Sequence, residues 1–499
     1  MKGKVWLVGA GPAEAELLTI KAKRVIEQAD VVVCDALIGR SVMNMIPESA
    51  EKIDVGKRAG RHSMPQEEIN ELLLSLAEQG KRVVRLKGGD PFLFGRGGEE
   101  LELLNEHQIP FEVVPGVTSA IAVPACFGIP VTHRGLASSV HIVTGHQKKD
   151  EPLHISFEAL REAGGTFVFL MGVSSLHNIA NGLLQAGMEP QTPAAVLQQG
   201  GSGSQKKISG TLADIERKVQ DTGVCTPAII IVGEVVRLGE KFSWYEKRPL
   251  FGKRFIVTRP RERMRELADG LRELGAEVTE LPVIALKGIH PNPPLREAIS
   301  RLADYRFLVF TSPGGVEEFM RELMDMGKDA RQIGGTSVAV IGSGTAKALR
   351  GYGIIADLMP EAYSGKALGA LLSEECRDGD KVLIARSAAG NPELVTQLQK
   401  EKNIAVTDIA AYAILNTDRA DQREGGCTYA EAEKADGVFF TSASTVRGFS
   451  SRFPKLDFSK IQAFCIGEMT AREAEKYGMR VKTAEKATVE SLIISALGQ

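Results

Sequence analysis

Along the first half of the chain, short apolar runs rich in β-branched residues alternate with amphipathic stretches and glycine-rich turns. VWLVGAG is followed by a helical pattern from Leu17 to Gln28, then by DVVVCD, and later by VVRLKGG and VHIVTGH. Strands separated by helices predict an α/β architecture with ligand loops at the strand ends. The texture holds to about Trp244. KRPLFGKR, residues 247–254, then combines charge, proline and glycine before a new strand, FIVTRP, so a linker is expected at 247–252.

Beyond that point the chain repeats itself. FLVFTSPGGVEEF (307–319) and VAVIGSGTAKALRGYGI (338–354) are echoed by GVFFTSASTVRGF (437–449) and AFCIGEMTAREAEKYGM (463–479). In each copy one strand ends in Thr-Ser at a helix start. A second ends in Ile-Gly, with a Thr-Ala pair opening the next helix, where a hydroxyl can cap exposed amides. Two copies are too few for a solenoid and predict two similar α/β lobes with a cleft between them.

Composition narrows the chemistry. A chain of 499 residues is long enough for about three domains of ~150 residues. Its 61 basic and 63 acidic residues nearly cancel, which argues against nucleic acid or a membrane surface as partner and leaves anionic ligands to local arginines. The six cysteines show no CxxC pair and the eight histidines no HExxH spacing, so neither a disulfide framework nor a metal site is expected. MKGKVWLVGAG runs straight into a strand-like segment and no apolar run approaches ~18 residues, which reads as a soluble cytoplasmic protein.

Two glycine-rich loops carry the candidate chemistry. LVGAGPAE (7–14), with Asp35 lying 24 residues beyond Gly11, has the outline of a dinucleotide fingerprint. Glu14 stands where the third glycine should be, however, and would meet a pyrophosphate with a carboxylate. In RLKGGDPFLFGRGGEE (85–100), Gly88 and Gly89 remove side chains where a ligand touches backbone, and Asp90 offers an acceptor. Asp90 would repel phosphate and no GK[ST] follows, so this is not a phosphate-binding loop. Apolar walls, exposed backbone and one carboxylate suit a nucleoside bearing an amino acid.

GAGPAEAELLT, VGKRAGRHSMPQEEIN, VVRLKGGDPFLFGRGGEE, VVPGVTSAIAVPACFGIPVTHR, FLMG and PAIIIVGEVV, in that order over residues 1 to about 244, resemble the uroporphyrinogen-III C-methyltransferases, S-adenosylmethionine enzymes that begin sirohaem and cobalamin synthesis. The family usually shows GPGD in the first loop, where this chain has Pro12-Ala13-Glu14. The resemblance implies that residues 1–246 form a two-subdomain α/β tetrapyrrole methylase. Its S-adenosylmethionine pocket would be lined by Pro12, Gly88, Gly89, Asp90, Leu93, Thr118, Ser119, Met171 and Gly200, with S-adenosylhomocysteine as product. It places proton handling on Asp35 and Lys57 and adds Arg96 as a candidate for substrate contact or catalysis. Arg58, Arg61, His133 and Arg134 join Lys57 and Arg96 as receivers of the porphyrinogen carboxylates. A homodimer through this half is a further expectation.

The second half resembles uroporphyrinogen-III synthase through RFIVTRPRE, FTSPGGVEEF, VAVIGSGTA, LIARSAAGNPEL, AAYAI, FFTSAS and FCIGEMTA. The resemblance implies that residues 253–499 form two lobes, roughly 253–286 plus 417–499 and 287–416, which close hydroxymethylbilane with inversion of its last ring and no cofactor. Candidate contacts are Arg259, Thr311, Ser312, Gly342, Thr345, Arg386, Thr441, Ser442, Ser444, Gly467 and Thr470, mostly at strand ends where helix N-termini favour carboxylates. Tyr412 of AAYAI is the candidate general acid. The product of this half, uroporphyrinogen III, would be methylated twice by the other to precorrin-2.

Each assignment has a plainer rival: Asp35 as a helix cap, Met171 as core filler, Arg96 paired with Glu99 or Glu100, Tyr412 as a packing aromatic. A rival for the whole chain is a nicotinamide-dependent oxidoreductase fused to a two-lobed anion-binding module.

Overall fold

A computed structural model of the chain describes residues 2–12, 14–56, 64–145, 155–224, 226–259, 264–400, 402–416 and 427–498. Lys57, Arg58 and Arg61 lie outside the described residues. The chain forms two compact units, Met1–Gly252 and Lys253–Gln499.

In the first unit, β1 (Lys4–Gly9), β2 (Val31–Cys34), β3 (Glu51–Asp54), β4 (Arg82–Lys87) and β5 (Phe111–Val114) make a parallel sheet of order β3-β2-β4-β1-β5. VVVC of β2 is buried throughout, as a central strand covered on both faces requires. Alternate residues feed two cores, Val8, Val32 and Leu86 on one face and Leu7, Val33 and Val83 on the other. The helix expected from Leu17 starts at Ile20. Thr19 stops it there by accepting a hydrogen bond from Ala22 N–H, and Ala15–Leu17 form a separate 3₁₀ turn.

A second sheet follows, built from β6 (Val140–Thr144), β7 (Thr166–Leu170), β8 (Pro193–Gln198), β9 (Lys206–Thr211) and β10 (Ala228–Val232) in the order β6-β7-β10-β8-β9. Only its β6–β7 pair is parallel. Residues 247–252, expected as a linker, pack onto this unit instead: Leu250 is buried, Phe251 meets the Tyr245 ring edge-on, and Gly252 N–H bonds Gly203 O.

The second unit contains β11 (Arg254–Val257), β12 (Glu277–Glu280), β13 (Ile284–Gly288), β14 (Phe307–Phe310), β15 (Ser337–Val340), β16 (Lys381–Ser387), β17 (Ala405–Asn416), β18 (Gly437–Phe440), β19 (Gln462–Cys465) and β20 (Arg480–Thr483). They divide into a parallel sheet, β12-β11-β18-β19-β20, and a mixed one, β13-β17-β16-β14-β15. The chain leaves the first sheet after β12 and completes the second before returning to β18. The repeat seen in the sequence is this pair of sheets: β14 and β15 in one correspond to β18 and β19 in the other. β13 and β17, the first and last strands of the inserted sheet, pair antiparallel, with Gly288 opposite Tyr412.

Candidate functional site

In the first unit, every strand of the parallel sheet ends at one edge, and Pro12, Asp35, Gly88, Gly89, Asp90, Thr118 and Ser119 all follow those carboxyl ends. In open α/β sheets this edge is where ligands bind. Three of its loops touch through bare backbone. A Cβ on Gly9 would lie 2.6 Å from Gly116 Cα and from Gly89 O, and Gly11 and Gly89 exchange hydrogen bonds of 2.9 and 3.2 Å. Gly89, at φ +66°, takes a conformation that favours glycine, and around Gly88 and Gly89 a Cβ would meet nothing closer than 3.7 Å. The closest approaches are therefore loop to loop, and space remains beside Gly88 and Gly89. Asp90 holds the arrangement: one carboxylate oxygen accepts from Phe92 N–H at 2.9 Å and the other from Gly116 N–H at 3.0 Å. The expected free acceptor is a stitch between two loops.

The second sheet contributes from the other side of the helix Ser119–Cys126, which Thr118 caps by accepting from Ala120 N–H. Gly200, after β8, sits against Val123 and Phe127, where a Cβ would come within 2.8 Å of Val123. Leu93 packs on the cluster that includes Ala120, Val123 and Leu170. Met171, next in the chain, is 48% exposed with φ +56°, which removes the core-filler reading. His133 and Arg134 stand exposed on a short turn closed by His133 and Ala137.

Behind Asp35 lies a feature the sequence reading missed. Arg85 and Lys87, two residues apart and thus on one face of β4, are 2% and 3% exposed. Arg85 reaches Asp35 at 2.6 Å and Glu100 at 3.0 Å; Lys87 reaches the same oxygen of Glu100 at 2.7 Å, and Gln66 joins at 3.1 Å. Glu100 is fully buried, and its other carboxylate oxygen finds no hydrogen-bond partner among the described residues. Burial, with the neighbouring Arg85 charge, pushes the Lys87 amine below its ordinary range against the pull of Glu100. Charged residues alternating inside an otherwise apolar strand, RVVRLK, were the available signal. Asp35 is therefore an ion-paired carboxylate and caps no helix.

Arg96 opens the helix Gly97–Glu106 at φ +56°, with Phe94 at φ +55° nearby, and its guanidinium pairs with Glu99 at 2.5 Å. The plainer contact is thus made, on a solvent-exposed side chain. Cβ atoms on Gly95 and Gly97 would strike Pro91 O at 2.5 and 2.6 Å, whereas nothing crowds Gly98.

In the second unit Ser312 and Ser442 cap the helices Pro313–Asp325 and Ala443–Arg452, accepting from Gly315 and Thr445 N–H. Thr311 and Thr441 immediately precede these caps. Ser444 bonds Ser442 at 2.8 Å. Gly342 and Gly467 begin the paired helices Ser343–Arg350 and Glu468–Lys476 without any side-chain cap. Thr345 and Thr470 depart from expectation: at 3% and 4% exposure they are buried in the first helical turns and do not line an open edge. Arg386 is also corrected. Its guanidinium grips Asp408 with two bonds of 2.8 and 2.5 Å and donates to Asn391 O, so its charge is already compensated. Tyr412 is buried, with its hydroxyl 2.9 Å from Ser312 Oγ, and Arg259 follows the end of β11.

Beside β13, His290 lies between Glu318 and Glu322, and Glu322 is also bound by Arg296 and Asn292 N–H. His290, Glu322 and Asp325 could converge on a cation. The sequence hid this grouping because 32 residues separate His290 from Glu322. Arg296 already serves as the counter-ion of Glu322. Among the described residues no helix is long and apolar enough to cross a membrane.

Comparison with known proteins follows this division. Residues 4–216 match the family described as Tetrapyrrole (Corrin/Porphyrin) Methylases, and residues 265–494 match Uroporphyrinogen-III synthase HemD. The porphyrin biosynthesis protein HemD of Ruminiclostridium josui is 44% identical over 98% of this chain and 97% of its own length. An S-adenosyl-L-methionine-dependent uroporphyrinogen III methyltransferase of Methanosarcina barkeri is 53% identical over 47% of this chain and 93% of its own. The uroporphyrinogen-III C-methyltransferase of Bacillus subtilis is 42% identical over 66% of this chain and 68% of its own. Matched along nearly its whole length, the chain belongs to the family of porphyrin-biosynthesis enzymes that join a tetrapyrrole methylase to a uroporphyrinogen-III synthase.

Proposed function

We propose that residues 1–252 transfer methyl groups from S-adenosylmethionine to uroporphyrinogen III, twice, yielding precorrin-2, and that residues 253–499 make uroporphyrinogen III from hydroxymethylbilane. The observation that carries the first assignment is the meeting of loops from two sheets around one short helix. Thr118 caps that helix, Gly200 lies against its side, and Gly88 and Gly89 leave room beside its start. Asp35, oriented by Arg85, is the carboxylate for charge relief as the attacked pyrrole becomes cationic. Arg96 leaves Glu99 to take a propionate side chain of the substrate. In the second unit, the helix N-termini behind Ser312, Gly342, Ser442 and Gly467 receive carboxylates, and Tyr412, relayed by Ser312, protonates the departing hydroxyl.

Calorimetric titration of the full chain tests the cofactor assignment. S-adenosylhomocysteine should bind once per chain and NADP should not; the reverse would restore the oxidoreductase reading. For the second unit, Tyr412→Phe should lower kcat for cyclisation at least about tenfold, the loss of one charged transition-state hydrogen bond, with KM little changed. Wild-type turnover would return Tyr412 to packing alone.

A further inference from the structure

We propose that Ser243–Gly252, the segment by which the chain leaves the first unit, is a strap that holds the methyl-donor pocket in its binding conformation, with Tyr245 as a positioning residue. The inference rests on the pocket assigned above and names residues outside it.

The strap is tied at several points. Tyr245, 3% exposed, donates from its hydroxyl to Gly201 O at 2.8 Å. Trp244 Nε1 donates to Ala125 O at 2.9 Å, near the end of the helix that Thr118 begins. Glu246 accepts from Gln205 Nε2 at 2.7 Å, while Gln205 Oε1 accepts from Gly201 N–H at 2.9 Å and its amide reaches Cys126 O at 3.4 Å. Arg248 lies over the Trp244 and Tyr245 rings, 4.8 and 4.3 Å from their centroids, and closes the strap on itself. The Glu14 carboxylate, in the first glycine loop, lies 3.4 Å from where a Cβ on Gly201 would stand; burial, with that negative charge, pushes the Tyr245 phenol well above its ordinary range. Glu14, out of place in a phosphate loop, thus lies against the Gly201 turn that the strap holds.

Three of the pocket's segments converge here: the first loop through Glu14, beside Gly201, the Ser119–Cys126 helix through Trp244, and the Gly200 loop through Tyr245 and Gln205. Gly201, the peptide neighbour of Gly200, has both its N–H and its carbonyl fixed by this arrangement while holding φ +87°. The loop QGGSGSQ (199–205) is rich in glycine, which loses the most backbone freedom on ordering. A loop ordered beforehand does not charge that entropy to the ligand, so the strap should appear in cofactor affinity. It should not appear in the chemical step.

Tyr245→Phe in the full chain tests this, since it keeps the ring and removes only the hydroxyl. S-adenosylhomocysteine affinity, measured by calorimetry well below the unfolding temperature, should weaken about fivefold to tenfold, the loss of roughly one hydrogen bond. KM for S-adenosylmethionine should rise with it. Methylation kcat should stay within about twofold, the pattern of lost uniform binding. Glu246→Gln, which weakens the Gln205 contact, should move affinity in the same direction and carries the test if Tyr245→Phe does not fold. Unchanged affinity in a folded variant would overturn the proposal and leave the strap a purely structural element. Failure of the wild-type chain to bind S-adenosylhomocysteine would instead remove the pocket assignment on which it rests.

Discussion

Glu100→Gln removes one charge from a group of four that sums to zero: Arg85 and Lys87 against Asp35 and Glu100. The carboxylate is fully buried, and one oxygen serves Arg85, Lys87 and Gln66 at 3.0, 2.7 and 3.1 Å. At an effective dielectric near 20, a charge pair at such separations is worth about 5 kcal/mol before desolvation, and removing one partner of a buried pair typically costs about 3 to 5 kcal/mol. A glutamine carbonyl can still accept from Lys87 or Arg85 and recovers part of this, so we expect a loss of about 3 kcal/mol. Both tryptophans, Trp6 and Trp244, belong to the first unit, so tryptophan fluorescence during urea unfolding reports on that unit selectively. The deficit should also shrink at alkaline pH. Without Glu100, Lys87 loses the contact that opposes its depressed pKa; the unfolded chain then binds more protons than the folded one, and stability rises with pH through the depressed folded value. An unfolding midpoint equal to wild type, or a deficit that grows with pH, would refute the claim that Glu100 is the counter-ion of a buried cationic pair.

Arg96→Gly relieves a left-handed backbone at little cost, since the exposed Glu99 pair contributes weakly; the fold should gain up to about 1 kcal/mol while methyl transfer drops at least about tenfold. Arg96→Lys should show the same activity loss without the gain, and wild-type rates in either would remove Arg96 from the reaction. Arg386→Met should destabilise the second unit by about 2 kcal/mol, because Asp408 loses its bidentate partner yet can still hydrate; a large rise in hydroxymethylbilane KM with unchanged calorimetric stability would instead make Arg386 a substrate ligand. At His290, burial of the ring is outweighed by hydrogen bonds to Glu322 and Glu318, which raise its pKa above 6.5. That contribution is complete below pH 6.5 and is lost as pH rises through the folded value, with Arg296 and Arg321 the facing cations. His290→Gln should flatten this decline in scanning calorimetry, and an identical pH profile would show that the imidazolium contributes nothing.

Much of the site was legible because it is local in the chain. Glycine pairs at strand ends, Thr-Ser steps before helices and the duplicated second half each rest on a few adjacent residues, so Ser312 and Ser442 could be read as helix-start residues before any contact was known. What stayed hidden was which distant group answers each polar side chain. RLK told of a strand but not that Arg85 would meet Glu100 and Asp35, 15 and 50 residues away. LIARS offered Arg386 as a charge for a ligand, and only pairing of β16 with β17 brought Asp408 to it. Thr345 and Thr470 have the right type for the cleft, but in the structure they are buried in the first turns of their helices.

The sequence by itself determined the α/β alternation, the doubled second half and the candidate loops, because strand period, helix capping and turn chemistry act over a handful of neighbouring residues. Tertiary structure alone decided that Gly9, Gly89 and Gly116 press together, that Met171 is exposed rather than buried, and that the expected linker packs back on the first unit through Leu250, Phe251 and Gly252. Those outcomes depend on which surfaces meet when the sheets pack. A residue's exposure and its charge partner are properties of that meeting and have no period along the chain.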